Sequence, residues 1–205
     1  MIAMQAEPVK NWRVMGSSTI TGGSYNHISV MGEAVSTGDM ECQSLRVMGM
    51  FQTHANVQVG FANIMGQMDV GGQLRGQRVR VMGELTVHGD CEVEQFLSRG
   101  AFSIDGLLNA GTIDVRLYGP CHVREIGCGS LRVSLKKPFF GRMRHVLTAD
   151  VIEGDDVMLT YTKAHIVRGD RIRIGLGCDI DKIEYKTEYA CHPRAHVASC
   201  EQRGS

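Results

Sequence analysis

Apolar and polar positions between Val14 and Gly100 recur with one fixed period. Val-Met-Gly stands at Val14-Met15-Gly16, Val30-Met31-Gly32, Val47-Met48-Gly49 and Val81-Met82-Gly83, with Ile64-Met65-Gly66 between the last two. The glycines follow one another at 16, 17, 17 and 17 residues, and Ser98-Arg99-Gly100 adds a further step of 17. A small residue lies six positions after each: Gly22, Gly38, Ala55, Gly72, Gly89 and Gly106. Such self-similarity is the mark of a repeat architecture.

Counted from the glycine, apolar residues gather at +2 (Ala34, Phe51, Met68, Leu85, Phe102) and +4 (Ile20, Val70, Val87, Ile104, with Ser36 and Thr53 in the same column). They return at +8 and +10 (Met40 and Cys42, Val57 and Val59) and at +13 and +15 (Leu45 and Val47, Ala62 and Ile64). Within each pair a polar residue intervenes, the period of two expected of a strand with one buried face. Three short strands per turn, broken at +0, +6 and near +12, predict an all-β, single-domain parallel β-helix solenoid with triangular coils of about 17 residues. Glycine at two of the breaks suits either a positive φ or close backbone approach. Helical solenoids need 33 or more residues per unit, and the Leu/Asn ladder of leucine-rich repeats is absent.

Around this core the boundaries read as follows. Residues 1–13 form a flexible N-terminal tail and 14–134 the regular coils. An insertion loop at 135–147 carries Lys136-Lys137-Pro138-Phe139-Phe140, and coils resume over 148–189. The resumption rests on two segments 15 residues apart, Ile152-Glu153-Gly154-Asp155 and Val167-Arg168-Gly169-Asp170, with a weaker copy at Ile180-Asp181-Lys182-Ile183. Residues 190–205 read as a polar tail, and nine or ten rungs predict a rod of about 45 Å. Trp12 is expected to cap the first rung.

Composition narrows the function. The 205 residues carry 22 basic and 22 acidic groups, a balance that argues against a general binder of nucleic acid or anionic membranes. No apolar run approaches the roughly 18 residues of a membrane span, and no signal peptide is evident, which predicts a cytoplasmic location. Seven scattered cysteines read as reduced thiols. Met1-Ile2-Ala3-Met4 reads as a plain end, with peripheral membrane contact as the alternative.

The glycines at 16, 22, 32, 38, 49, 66, 72, 83, 89, 100 and 106 are then structural. Phosphate-binding loops of the Gly-x4-Gly-Lys-Ser/Thr or Gly-x-Gly-x-x-Gly kind are missing, so no cofactor is implied. Gly127-Cys128-Gly129 and Gly175-Leu176-Gly177 read as turns. Cys191, His192, His196 and Cys200 are the only grouped candidates for a metal, and their spacing matches no standard zinc finger, so none is predicted. Asp155-Asp156 and Asp179 with Asp181 read as turn-capping residues rather than catalytic carboxylates, and His27, His54 and His88 as surface residues. The methionines at 15, 31, 48, 65 and 82 read as corner packing, with an exposed stripe for lateral association as the other reading.

An open β-helix exposes strand edges and core at both ends, and monomeric solenoids need polar caps. The chain is therefore expected to partner itself, through Trp12, Val14 and Ile20 at one end and Ile172, Ile174, Ile180 and Ile183 at the other. No small-molecule substrate or nucleic acid is implied.

The repeated Gly-x5-Gly-Asp units (Gly32 to Gly38-Asp39, Gly83 to Gly89-Asp90) resemble the bactofilins, bacterial polymer-forming cytoskeletal proteins. The stretch from Gly100 to Ala110, Tyr118-Gly119-Pro120-Cys121, Tyr161-Thr162-Lys163-Ala164 and Val167-Arg168-Gly169 are similar to the longer subgroup of Bacillus-like bacteria. The resemblance runs from about residue 14 to 197. It implies a right-handed β-helix that assembles end to end into non-polar filaments without nucleotide, serving as a scaffold in cell shape or flagellum-based motility. The alternative is a β-helical carbohydrate-binding module or carbohydrate-active enzyme.

Overall fold

The computed structural model describes residues 10–135 and 145–204; the central part of the expected insertion loop, 136–144, and residues 1–9 lie outside the described residues. Short and long strands alternate through the first half: β1 (Lys10–Val14), β2 (Ser17–Ile20), β3 (Gly23–Val30), β4 (Glu33–Ser36), β5 (Met40–Val47), β6 (Met50–Thr53), β7 (Val57–Ile64), β8 (Gln67–Val70), β9 (Leu74–Val81), β10 (Glu84–Val87) and β11 (Cys91–Ser98). The second half wraps in longer strands: β12 (Ala101–Leu117), β13 (Cys121–Leu135), β14 (Leu147–Leu159), β15 (Thr162–Ile174), β16 (Asp179–Cys191) and β17 (His196–Gln202). Every pairing is parallel, each strand lying on the equivalent strand of the next coil, and about 11 turns form one β-solenoid.

The register carries the period. Phe51 pairs with Met68, Leu45 with Ala62, and Val47 with Ile64, so like positions stack into columns. The inward columns +2, +4, +8, +10, +13 and +15 make the core, with Phe51, Ile64, Met68, Leu85 and Phe96 among its fully buried members. Phe96 and Phe102 meet edge to face, 5.2 Å between centroids. The break expected near +12 falls at +11, and it does not end the strand. Pairing runs Cys42 to Val59 and then Ser44 to Phe61, so Gln43 and Gly60 form an unpaired corner inside one bent eight-residue strand.

Glycine at the first corner answers close approach, not backbone twist. A Cβ on Gly32, Gly49, Gly66, Gly83 or Gly100 would stand closer than 3.0 Å to the carbonyl oxygen of the glycine one coil below. Positive φ among glycines occurs only at Gly23 and Gly177 of those described. The spine is therefore a file of backbones with no room for a side chain between rungs.

The polar members of the repeat serve the same stacking. Ser36 Oγ donates to the Gly38 carbonyl at 3.0 Å, and Thr53 Oγ1 accepts from the Ala55 amide at 3.1 Å, satisfying inward hydroxyls locally. Asp39 Oδ1 accepts the Asn56 amide, Asn56 Oδ1 the Gln73 amide, and Asp90 Oδ1 the Leu107 amide, each at 2.9 Å. The acidic residue of each Gly-Asp pair thus ties its corner to the next coil.

Both ends of the coil lie further out than the sequence suggested. β1 begins at Lys10 and pairs with β3, so the expected tail already contributes to the first rung. Residues 190–205, expected as a polar tail, hold β17, which lies on β16 with Ile180 opposite Val197 and Ile183 opposite Cys200. The last rung reads as polar because only one of its sides has core to cover. Across the long turn Cys121 pairs directly with Leu147, so the column continues without a domain break. Leu147 then pairs with Thr162, a 15-residue turn.

Candidate functional site

What these columns leave unsatisfied is at their ends and along their edges. At the carboxyl end β17 has β16 as its only strand partner among the described residues. Tyr189, Cys191, Val197 and Cys200 continue the inward columns above Ile172, Ile174, Ile180 and Ile183. Cys191 and Cys200 are exposed, and Tyr189 and Val197 only half-buried. Tyr185 and Tyr189 stack at 5.3 Å between centroids. The side chains that would be core in a longer rod are here the surface of its end.

The carboxyl-end residues named from sequence sit one layer too deep, and the inward residues named at the amino end, though in the first two strands, are covered as well. Val14, Ile20, Ile172, Ile174, Ile180 and Ile183 are all buried, at most 3 % exposed, and belong to the core. Each C-terminal member is covered by the unforeseen last rung. Trp12 is partly buried in β1 and meets Tyr25 edge to face at 5.9 Å. Val197, then a corner at Ala198 and Cys200 two residues beyond it, was the available signal for this last rung, but with so few apolar residues it was weak.

Ion pairs bind the last rungs where apolar burial thins. Glu184, 5 % exposed, receives Lys182 Nζ at 2.7 Å and Arg168 Nε at 2.8 Å, and also meets Arg203. Lys182 and Arg168 hold its carboxyl down to about 2. Lys182 also reaches Glu201 at 3.3 Å, and Lys186 meets Asp170 at 2.8 Å, so the network spans the final coils.

Of the four metal candidates only Cys191 and Cys200 come together, both at the Tyr189 hydroxyl, and the two histidines do not join them. Cys191 and Cys200 stand over the inward-facing Ile174 and Ile183, whereas His196 pairs with the outward Asp179. His192 Nδ1 accepts the Arg194 amide at 3.1 Å. Among the described residues no group of three or more His, Cys, Asp or Glu is placed to share an ion. Asp156 pairs with Arg171 at 3.2 Å, and His165 with Asp181 at 2.7 Å, so these carboxylates serve cross-rung contacts. His88 lies between Asp69 and Asp105 on successive coils, at 3.6 and 2.8 Å.

Two surface features run along the rod. One is a furrow of about 1030 Å³ along the +11 corner, where Gly60 and Gly111 at the corner and Gly76 just before it lack side chains and Glu41, Arg75 and Glu92 form the walls. The other is the file of corner methionines, exposed at 73 % (Met15), 47 % (Met31), 38 % (Met48), 37 % (Met65) and 37 % (Met82). They lie on the outer face of the corner, outside the core, and Met48, Met65 and Met82 nonetheless have more than half of their surface covered. No helix of the described residues is long and apolar enough to cross a membrane.

No protein-family model matches this chain, and no solved structure matches it. The chain is similar to the uncharacterized protein YhbE of Bacillus subtilis (strain 168), 44 % identical over 99 residues, covering 46 % of this chain and 42 % of YhbE. It is likewise 44 % identical over 93 residues to the uncharacterized protein YhbF of the same organism, covering 45 % of this chain and 40 % of YhbF. The matched stretch thus spans less than half the length of either relative.

Proposed function

We propose that this chain is a self-assembling scaffold of the bactofilin type, whose columns join end to end without nucleotide. The observation that carries the reading is the bare C-terminal end: β17 offers an unpaired edge beside Tyr189, Cys191, Val197 and Cys200, with no capping element among the described residues. A second column placed on this edge across a two-fold adds a further, antiparallel strand pairing and removes the half-covered core from water; strand pairing and burial are also what drive stacking within the chain itself. At the other end the inward Val14 and Ile20 are already buried, so what β1 and β2 offer there is strand edge beside the partly buried Trp12. Like meeting like at each end gives a two-fold at every junction and a filament without polarity.

In this reading the chain is a structural protein and not an enzyme, its partner is itself, and it works in the cytoplasm with peripheral membrane contact as an added option. A part in cell shape or flagellum-based motility follows from the resemblance alone. The test is sedimentation of nucleotide-free protein beside a Val197→Arg variant. Wild type pelleting while the folded variant stays in the supernatant supports the reading, and equal behaviour of the two refutes this interface.

The furrow favours a second reading, a carbohydrate-binding module or carbohydrate-active enzyme. Saturable binding of a soluble glycan, lost on Arg75→Ala, would support it.

A further inference from the structure

The methionine file is built by the fold. Met31, Met48, Met65 and Met82 each donate their amide to the carbonyl of the residue preceding the methionine one coil below, at 2.7–2.8 Å, so the five corners stand directly above one another. Their side chains have nowhere inward to go, because the neighbouring glycine spine leaves no space between rungs. At the strand spacing of roughly 4.8 Å, five rungs make an exposed apolar stripe about 20 Å long. Contiguous apolar surface of this kind marks an interaction site, and methionine is enriched in such contacts.

The flanks of the stripe determine what it fits. On one side the outward column reads Arg13, Ser29, Arg46, Asn63 and Arg80. On the other it reads Ser17, Glu33, Met50, Gln67 and Glu84. None of Arg13, Arg46, Arg80, Glu33 and Glu84 has an ion-pair partner among the described residues, a condition shared by Arg99, Arg116, Arg124 and Arg132, whereas Arg75, Arg168, Arg171, Arg173 and Lys186 are paired. The stripe thus runs between a column bearing three arginines and one bearing two glutamates, none of them ion-paired, Glu33 Oε2 accepting only the Ser17 hydroxyl at 3.3 Å.

We infer that the methionine stripe is a lateral contact with a second copy of this chain, the two columns lying side by side, pointing the same way and in register. A two-fold parallel to the rods sets each Met against its own copy and puts the cationic bank of one column opposite the anionic bank of the other. Arg80 then faces Glu84 of the second copy, the one Arg–Glu match in each bank, Asn63 faces Gln67 and Arg46 faces Met50, while Arg13 and Glu33 face the small Ser17 and Ser29, all at equal height. An antiparallel pair instead sets Arg46 against Arg46 and Arg80 against Arg13, which like-charge repulsion disfavours. The contact does not depend on end-to-end joining. Five side chains per column are a small area, so single chains pair weakly and contacts repeated along joined columns add up.

Single cysteines at 31, 48, 65 and 82, each in a background with Cys128, Cys191 and Cys200 changed to serine, test the geometry under mild oxidation at high protein concentration. The structure predicts a disulfide-linked dimer from each of the four variants and none from Gln58→Cys, which lies on the furrow. Linkage at only one of the four positions means an antiparallel contact and overturns the inference, as does linkage at none or equal linkage at Gln58→Cys. In the Met65→Cys background, Arg80→Glu should lower the linked yield roughly three- to tenfold, and adding Glu84→Arg should restore it. Failure of the second change to rescue the first would also overturn it. Circular dichroism of each variant separates lost contact from lost fold.

Discussion

Adding one methyl group to the glycine spine should unfold what the same change elsewhere strengthens. An alanine at Gly66 would place its Cβ well inside 3.0 Å of the Gly49 carbonyl oxygen and close to the Met48 carbonyl. Those atoms are backbone and cannot swing aside, so the two coils must part at the corner. The bonds at risk are Met65 and Gly66 amides to the Val47 carbonyl, at 2.8 and 3.1 Å, and the Gln67 amide to the Gly49 carbonyl, at 2.9 Å. Losing two or three of them at about 1 kcal/mol each, with buried groups left unpaired, costs roughly 2–4 kcal/mol. For a domain of this size that lowers the melting midpoint by roughly 5–15 °C. Gly16 is the matched control: nothing lies within 4 Å of a Cβ there, so Gly16→Ala should be neutral or stabilising by about 0.5–1 kcal/mol through reduced chain entropy. Thermal melts of both variants followed by circular dichroism decide the matter. A Gly66→Ala protein as stable as wild type would refute close approach as the reason for the spine.

Other parts of the fold give sharp expectations. Phe51→Ala, at a fully buried site stacked between Ala34 and Met68, should cost about 3–5 kcal/mol, read as a lowered urea midpoint. Because the carboxyl of Glu184 is held near 2 against about 4.3 in the unfolded chain, the stability it contributes is full above about pH 5 and lost as pH falls toward 2. Glu184→Gln should therefore lower the urea midpoint at pH 7, and the gap to wild type should shrink at pH 2.5. Burial pushes the Cys91 thiol up to about 12, so alkylation of native protein at pH 8 should modify exposed Cys191 and Cys200 well before Cys91, as read by peptide mass spectrometry.

The middle of this molecule was legible in its residues because each column position repeats the same environment. Val47, Ile64 and Val81 at one offset, and Gly49, Gly66 and Gly83 at another, state the inward face and the tight corner several times over. The ends were not legible for the complementary reason. Tyr189, Cys191, Val197 and Cys200 occupy core columns but have core on one side only, so their composition drifts toward polar and the last rung looked like a tail. Ile174 and Ile183, which the residue pattern places at the end, are consequently buried one coil further in. Corner residues form a third class. Alternation assigns Met48 to neither face, and only the glycine file beside it, seen in three dimensions, shows that its side chain must point to solvent. The +11 corner hid similarly, since Gln43 and Gly60 interrupt pairing without ending the strand.

Electron microscopy of the purified protein without nucleotide tests the central claim most directly. Joined columns predict unbranched filaments one column wide or paired side by side, whose averaged images carry a repeat of roughly 4.8 Å along the filament axis, the rung spacing continued across every junction. Fields of isolated rods about 50 Å long at every concentration, or filaments whose strand repeat lies across the axis, would contradict it.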